Sequence, residues 1–329
     1  MVRRYYRPIL TEREGLPLAG GPFRFARAEV ITRAGSEGFV AAEAIPDDWR
    51  ARLTEPRPLL NHFAPPLPLV MGILNVTPDS FSDGGRHAAP DAAVAAARAM
   101  HAAGAAIIDV GAESTRPGAA ELPVAEELAR LAPLWDGLAG LPVSIDSRKA
   151  GVMQAALDQG AMIVNDVSAL LHDPAALALA AQRGCPVVLM HHQGTPETMQ
   201  QAPRYDNALL DVFDWLEGRI AAVTAAGVAR DAIIADPGIG FGKGLDHNLA
   251  LLKGLALFHG LGVPILLGAS RKSLISKLVG DVPVAARLPG SLAIALAGAQ
   301  AGVQLLRVHD VAETVQALAL WRACHPALS

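Results

Sequence analysis

The feature that most constrains this chain is a rhythm. From Pro68 onward, short apolar runs alternate with longer stretches rich in Ala and Leu, eight times over. The runs cover 69–75 (LVMGILN), 106–110 (AIIDV), 142–146 (PVSID), 162–166 (MIVND), 186–191 (PVVLMH), 232–236 (AIIAD), 264–268 (PILLG) and 304–308 (QLLRV). Helical periodicity marks the segments between and after them: 90–103, 123–137, 147–159, 174–183, 205–226, 247–258, 288–301 and 311–324. Runs of strand length that are almost wholly apolar belong in a parallel sheet covered on both faces. Several of the helical segments open on Pro or Asp, and most close near Gly, as helix ends require. Eight such units in the 266 residues after position 63 match the ~250 residues of a (β/α)8 TIM barrel. A doubly wound open sheet is the rival arrangement.

The residues at the carboxyl ends of the runs favour the barrel. They are Asn75, Asp109, Asp146, Asn165, His191, Asp236, the Ser270-Arg271-Lys272 run, and Arg307 with His309. An open sheet needs polar exits at one switch point, whereas a closed barrel gathers all eight around one mouth. The chemistry suggested is a polyanion at one side of the mouth and a flat hydrogen-bonding heterocycle in the middle. Arg116, Arg307 and His309 are donors suited to phosphate. Asp146, Asn165 and Asp236 offer acceptors, and a carboxylate facing adjacent ring N–H groups gives strong charge-assisted bonds. Each Asp could instead cap the helix that follows it, an alternative heavier for Asp146 than for Asp236, where Pro237-Gly238 intervenes.

Other motifs carry less. The stretch from Gly238 to Gly244 (GIGFGKG) breaks both the Rossmann and the P-loop spacings and reads as a close-approach loop on which a flat ring could rest. His191-His192 lacks a nearby third ligand for zinc, which favours a hydrogen-bonding role. Cys185 precedes a buried strand and reads as core, as do Met100, Met153 and Met162. The loops 79–87 and 114–122 suit lids over the mouth.

Residues 1–63 stand apart, with ten Arg, no Lys and eight acidic residues, so this part is +2 while the rest is -6. Runs at 23–33 and 38–45 flank a turn and read as strands, and Pro46-Asp47-Asp48 opens a short helix. Prolines between 56 and 68 separate this N-terminal accessory segment from a barrel domain at 64–329. Its scattered Arg residues suit a small solvated unit better than a binding arm. Net charge -4 with 18% charged residues argues against nucleic acid as partner. Two cysteines exclude a disulfide framework. The lack of a secretory h-region and of an apolar span of about 18 residues leads to the expectation of a soluble cytoplasmic protein away from membranes.

The motifs at the run exits resemble those of dihydropteroate synthase, a pterin-binding barrel family. They are MGILNVTPDSFSDGG (71–85), GAESTRPG (111–118), SIDSRK (144–149), VND (164–166), LMHHQGTPETMQ (189–200), DPGIGFGK (236–243), GASRKS (268–273) and RVHDV (307–311). The resemblance covers about residues 67–325 in the family's order. Ala112 stands where Gly is common and Ser147 where Thr is common, and residues 1–63 exceed the short hairpin that usually precedes the family's barrel.

The resemblance implies condensation of 6-hydroxymethyl-7,8-dihydropterin pyrophosphate with p-aminobenzoate, giving 7,8-dihydropteroate and pyrophosphate. It implies Mg2+ on Asn75 and the pterin held by Asp146, Asn165, Asp236 and Lys272, with Met190 in the substrate pocket. It places Thr115, Arg116, Arg307 and His309 at the pyrophosphate. Phe81, Pro117, Phe241, Lys272 and Ser273 would form the p-aminobenzoate pocket, and Asp83 would face the reacting carbon. Asp83, Lys272 and Arg307 are the implied catalytic residues. Sulfonamide inhibition and a homodimer packed through the later helices follow from the same resemblance. The alternatives are a methyltetrahydrofolate–corrinoid methyltransferase, which would need neither GASRKS nor RVHDV, and a pterin-binding paralogue without catalysis.

Overall fold

The structure, a computed structural model, describes residues 2–59, 63, 67–76, 85–114, 121–194 and 203–325, with backbone only for 85–89. Eight strands follow the apolar runs: β5 (Leu69–Asn75), β6 (Ile107–Gly111), β7 (Val143–Asp146), β8 (Ile163–Asp166), β9 (Val187–Met190), β10 (Ile233–Asp236), β11 (Leu266–Leu267) and β12 (Leu305–Val308). Each pairs in parallel with its sequence neighbour from β5 to β10, and β12 lies between β5 and β11. A parallel bridge from Ala235 to Ile265 joins the two ends of this order. The sheet therefore closes on itself, and the open-sheet alternative falls.

Along each strand, alternate residues face the barrel axis and the helices. Val70, Ile108, Val110, Ile145, Val164, Val187, Ile233 and Leu306 pack outward into the large helix-facing core. Leu69, Met71, Ile107, Ile163, Val188, Ile234, Leu266 and Leu305 point inward and form a separate apolar layer. Leu59 and Phe63, from the proline-rich connection, pack onto that inner layer and fill the barrel floor. Because both faces are apolar at this level, the period-2 pattern is hidden in the sequence.

The covering helices are α2 (Gly85–Ala102), α3 (Val124–Leu131) with the short α4 (Trp135–Leu138), α5 (Ala150–Asp158), α6 (Ala176–Arg183), α7 (Ala208–Ala225), α8 (Leu245–Lys253), α10 (Leu288–Gln300) and α11 (Val311–Cys324). The expected segment 123–137 is broken at Pro133, where a 3-10 turn separates α3 from α4. Segment 247–258 is likewise split at Gly254, after which Leu255–Leu261 is a 3-10 helix. An unexpected helix, α9 (Ser273–Val279), follows β11. No helix among the described residues is long and apolar enough to cross a membrane.

The N-terminal residues form an antiparallel sheet of β1 (Tyr5–Thr11), β2 (Leu16–Pro17), β3 (Arg24–Thr32) and β4 (Gly35–Ala41), followed by α1 (Asp47–Thr54). The strand β1 was not foreseen, because its register of Arg and Pro masks the alternation. The expectation of a solvated unit is corrected: Tyr5, Leu18 and Phe25 are fully buried and continuous with the barrel's outer core. Trp49 of α1 stacks on Phe213 of α7, with centroids 5.5 Å apart and planes 10° from parallel. Gly260 makes this approach possible, since a Cβ there would lie 2.2 Å from the Trp49 ring.

The Arg residues are not scattered once folded. Arg33 bonds Asp211 and Asp214 at 2.6 and 2.7 Å, Arg52 bonds Glu217 at 2.8 Å, and Arg3 pairs with Glu217. Asp211, Asp214 and Glu217 are three apart on α7 and so form one acidic stripe. The +2 segment thus meets a negative face of the barrel.

Candidate active site

One step above the apolar inner layer, the inward positions become polar. Asp109, Asn165, Met190, Asp236 and Arg307 follow the inward residues Ile107, Ile163, Val188, Ile234 and Leu305 by two positions each. Glycine at 111 and 268 keeps the space open. A Cβ at Gly111 would lie 3.2 Å from that of Asp146, and one at Gly268 would lie 3.5 Å from Asp236 Oδ2.

Arg307 is the hub of this layer. Its Nε donates to Asp109 Oδ2 and its Nη2 to Asp146 Oδ2, both at 2.6 Å. Asn165 Nδ2 donates to the same Asp109 oxygen at 2.9 Å, while Asp109 Oδ1 is buried without a hydrogen-bond partner among the described residues. Burial opposes the charge on Arg307, yet Asp109 and Asp146 hold its pKa above the ordinary value. Burial pushes Asp146 up to about 7, pulled down by Arg307 but raised further by Asp109. Burial also raises Asp236, partly offset by the Gly238 amide and by Lys272.

The helix-cap alternative does not hold for either carboxylate. The residue preceding α5 is Lys149, and the first amide of that helix, Ala150 N–H, is satisfied by Asp173 at 2.8 Å. Asp236 accepts from Gly238 N–H at 2.7 Å, within its own turn and far in sequence from α8. Both carboxylates therefore face the mouth for reasons other than capping.

Lys272 comes from the turn before α9. Its ammonium lies 3.9 Å from the centroid of the Phe241 ring, and its stem rests on Gly240, whose Cβ position is 3.2 Å from Lys272 Cδ. Ser273 is exposed at the start of α9. Its neighbour Arg271 has φ +56° and pairs with Asp310, tying the β11 exit to the β12 exit. His309 is half-buried, its backbone N–H donating to Ser270 Oγ at 3.2 Å and its Nδ1 lying 3.0 Å from the same oxygen. Burial, with Arg271 and Arg307 close by, lowers its pKa to about 4. His309 is thus a neutral hydrogen-bonding group near pH 7 and not a cation. Asn75 ends β5, half-buried beside Gly111.

Phe81, Asp83, Thr115, Arg116 and Pro117 lie outside the described residues. The root of the segment holding the last three is described, and it contains residues that the sequence did not single out. Glu113 accepts from Leu122 N–H and Lys149 Nζ at 2.9 Å, and from Arg148 at 3.1 Å. Lys149 also reaches the buried Glu127 at 2.9 Å. Burial by itself would raise the Glu113 pKa, but the Leu122 amide, Lys149 and Arg148 bring it below the ordinary range. Glu113 and Leu122 are thereby joined to each other, and Glu113 to the turn that follows Asp146. Asp109 was visible as a strand exit, but its place as shared acceptor of Arg307 and Asn165 was not.

An apolar cleft lined by Leu18, Phe23, Leu67, Val303 and Trp321 lies at the amino-terminal ends of the strands, away from these groups.

Residues 71–309 match the family model described as pterin binding enzyme. The chain belongs to the dihydropteroate synthase family. It is 50% identical over 254 residues to the dihydropteroate synthase of Escherichia coli K12, covering 76% of this chain and 89% of that protein. The Xanthomonas albilineans dihydropteroate synthase with 4-aminobenzoic acid superposes with a TM-score of 0.74 at 47% identity, covering 78% of this chain and 93% of the other. The same organism's enzyme in complex with 7,8-dihydropteroate gives 0.71 at 44%, covering 78% and 94%. As a family member the chain is a transferase of folate biosynthesis built on a TIM barrel.

Proposed function

We propose that the barrel mouth joins 6-hydroxymethyl-7,8-dihydropterin pyrophosphate to p-aminobenzoate, through the carboxylate layer organised on Arg307. The observation that carries this reading is the set of acceptors and cations converging from separate strand exits: Asp109, Asp146, Asn165, Asp236, Lys272 and Arg307. A pterin ring presents adjacent N–H donors on one edge. Asp236, which is buried, would accept from them, and Asp146 and Asn165 would take the other polar edge.

Two of the three Arg307 nitrogens already bind carboxylates. The guanidinium would therefore keep those acceptors aligned while its remaining edge, with neutral His309 as donor, meets the leaving anion. In the reaction the bond from the pterin methylene carbon to the pyrophosphate oxygen breaks. A bond from that carbon to the arylamine nitrogen forms, and the amine loses one proton to solvent. Carbon positive in character is stabilised by the surrounding carboxylates. The arylamine is neutral at pH 7, so no strong base is required. Lys272 over Phe241 would supply a cation and an aromatic wall for p-aminobenzoate, with Ser273 at the rim.

An amide oxygen such as that of Asn75 is a hard donor suited to Mg2+, an ion that keeps several waters and needs few protein ligands. When bound, Mg2+ would spread the charge of the leaving group.

The free thiols of Cys185 and Cys324 suit a reducing cytoplasm. Exposed Leu278, Val279 and Val284 beside α10 support a homodimer through the later helices, which sedimentation would test. For the function itself, pyrophosphate release is measured with Mg2+, with and without p-aminobenzoate, and product mass is determined. Release that depends on p-aminobenzoate and yields dihydropteroate, inhibited by a sulfonamide, is expected. Pterin binding without turnover would instead favour the non-catalytic paralogue.

A further inference from the structure

The glycine segment after β10 is held by a dense set of side-chain hydrogen bonds. Lys243 is 1% exposed, and its ammonium donates to the carbonyls of Gly238 and Phe241 at 2.9 Å and of His191 at 3.1 Å. Those three acceptors match the three hydrogens of an ammonium. His191 Nδ1 lies 2.9 Å away as a further acceptor. While Lys243 is an ammonium, which has no lone pair, that imidazole nitrogen can only accept. Burial lowers Lys243 to about 7 and His191 to about 2.

A second side chain completes the fastening. Asn248 accepts from Gly240 N–H at 2.7 Å and donates to the carbonyls of Lys243 and Gly244 at 3.2 and 2.7 Å. Tyr205 donates to the Gly242 carbonyl at 2.8 Å. Every carbonyl from Phe241 to Gly244 is thus bound by a side chain. The loop cannot be stiffened by bulk, because a Cβ at Gly238 would lie 2.0 Å from the His191 carbonyl oxygen and one at Gly242 would lie 2.4 Å from that of Gln193. Polar staples do the work instead. What the loop presents outward is Gly240 and Phe241, the bed on which Lys272 lies.

We propose that Lys243 and Asn248 are positioning residues for the arylamine half of the site, acting through Phe241 and Lys272 without touching substrate. The inference rests on the proposed function for its choice of substrate. It explains why an almost fully buried lysine sits behind a substrate pocket: among the described residues Arg307 bonds Asp109 and Asp146, and these staples meet the pterin side at Gly238, whose N–H donates to Asp236.

The test uses the full chain with Lys243→Met and Asn248→Ala, each checked for folding by circular dichroism and thermal melting. The KM for p-aminobenzoate should rise about tenfold, or ~1.4 kcal/mol, while that for the pterin pyrophosphate changes much less. A general loosening would move both KM values together, and that result, or no change in either, overturns the proposal. Should Lys243→Met fail to fold, Asn248→Ala decides. If neither folds, the residues are folding elements and the positioning role is overturned. Wild-type protein runs in parallel: absence of turnover there sinks the proposed function, whereas wild-type turnover without the split in the variants sinks this inference alone.

Discussion

Arg307 and Asp109 form an ion pair at 2.6 Å across the inside of the barrel, from two strands that both flank β5. The same carboxylate oxygen also receives Asn165. One atom therefore aligns the cation of the last strand with the amide of the fourth barrel strand, and Asp146 is held by the other arm of the guanidinium.

Asp109→Asn should lower kcat/KM by about a hundredfold, the loss of ~3 kcal/mol expected when a charge-assisted acceptor becomes a weaker neutral one. Steady-state pyrophosphate release checks it. Arg307→Ala should additionally destabilise the fold by about 3–5 kcal/mol, since it leaves two buried carboxylates without their partner. Urea denaturation reads that loss.

A pH dependence follows from Asp146, raised by burial to about 7. The carboxylate is the form that accepts from pterin N–H groups, and it is populated above that value. Accordingly kcat/KM for the pterin pyrophosphate should climb as pH rises through about 7, and Asp146→Asn should remove this limb. A profile unchanged in the variant would assign the limb elsewhere.

Stability should fall on the acid side through His259. This residue is fully buried, with burial lowering its pKa to about 4 and only partly countered by its bond to the Ala301 carbonyl. Because an exposed imidazole titrates near ~6.5, the unfolded chain binds the extra proton between the two values. The contribution is complete above ~6.5 and is lost as pH falls toward 4, amounting to about 3 kcal/mol. Denaturation midpoints across this window should show a smaller loss in His259→Gln than in wild type.

The N-terminal unit offers a contrast of magnitudes. Trp49→Ala should cost about 3–5 kcal/mol by emptying the space against Phe213, Tyr5 and Gly260. Arg33→Ala removes two ion pairs but from an exposed side chain, so under about 1 kcal/mol is expected. Equal losses in chemical denaturation would contradict the view that the aromatic contact anchors the unit.

Strand runs and their polar exits were legible because each strand is apolar over its full length and ends where polar groups are useful. β5 runs over 69–75 and α11 over 311–324, both as read from the chain. What the sequence hid were relations that depend on the third dimension. Asp109 looks like any strand-end carboxylate until β12 brings Arg307 beside it. The burial of Lys243 has no mark in the sequence, because its partners are backbone carbonyls. Glu113 and Lys149 are 36 positions apart, and neither is periodic with anything. The Arg residues of the N-terminal unit appear scattered because their partners lie on α7, some 180 residues away.

The floor packing of Leu59 and Phe63 has a kinetic consequence. With Leu59 and Phe63 packed there, ligands should enter by the mouth, and traffic through it should be last in, first out. A molecule lodged at the depth of Asp109 and Asp236 must arrive before anything seated near Phe241 and Lys272. The joined product, reaching down to that depth, has to withdraw along the route by which its deeper half came in.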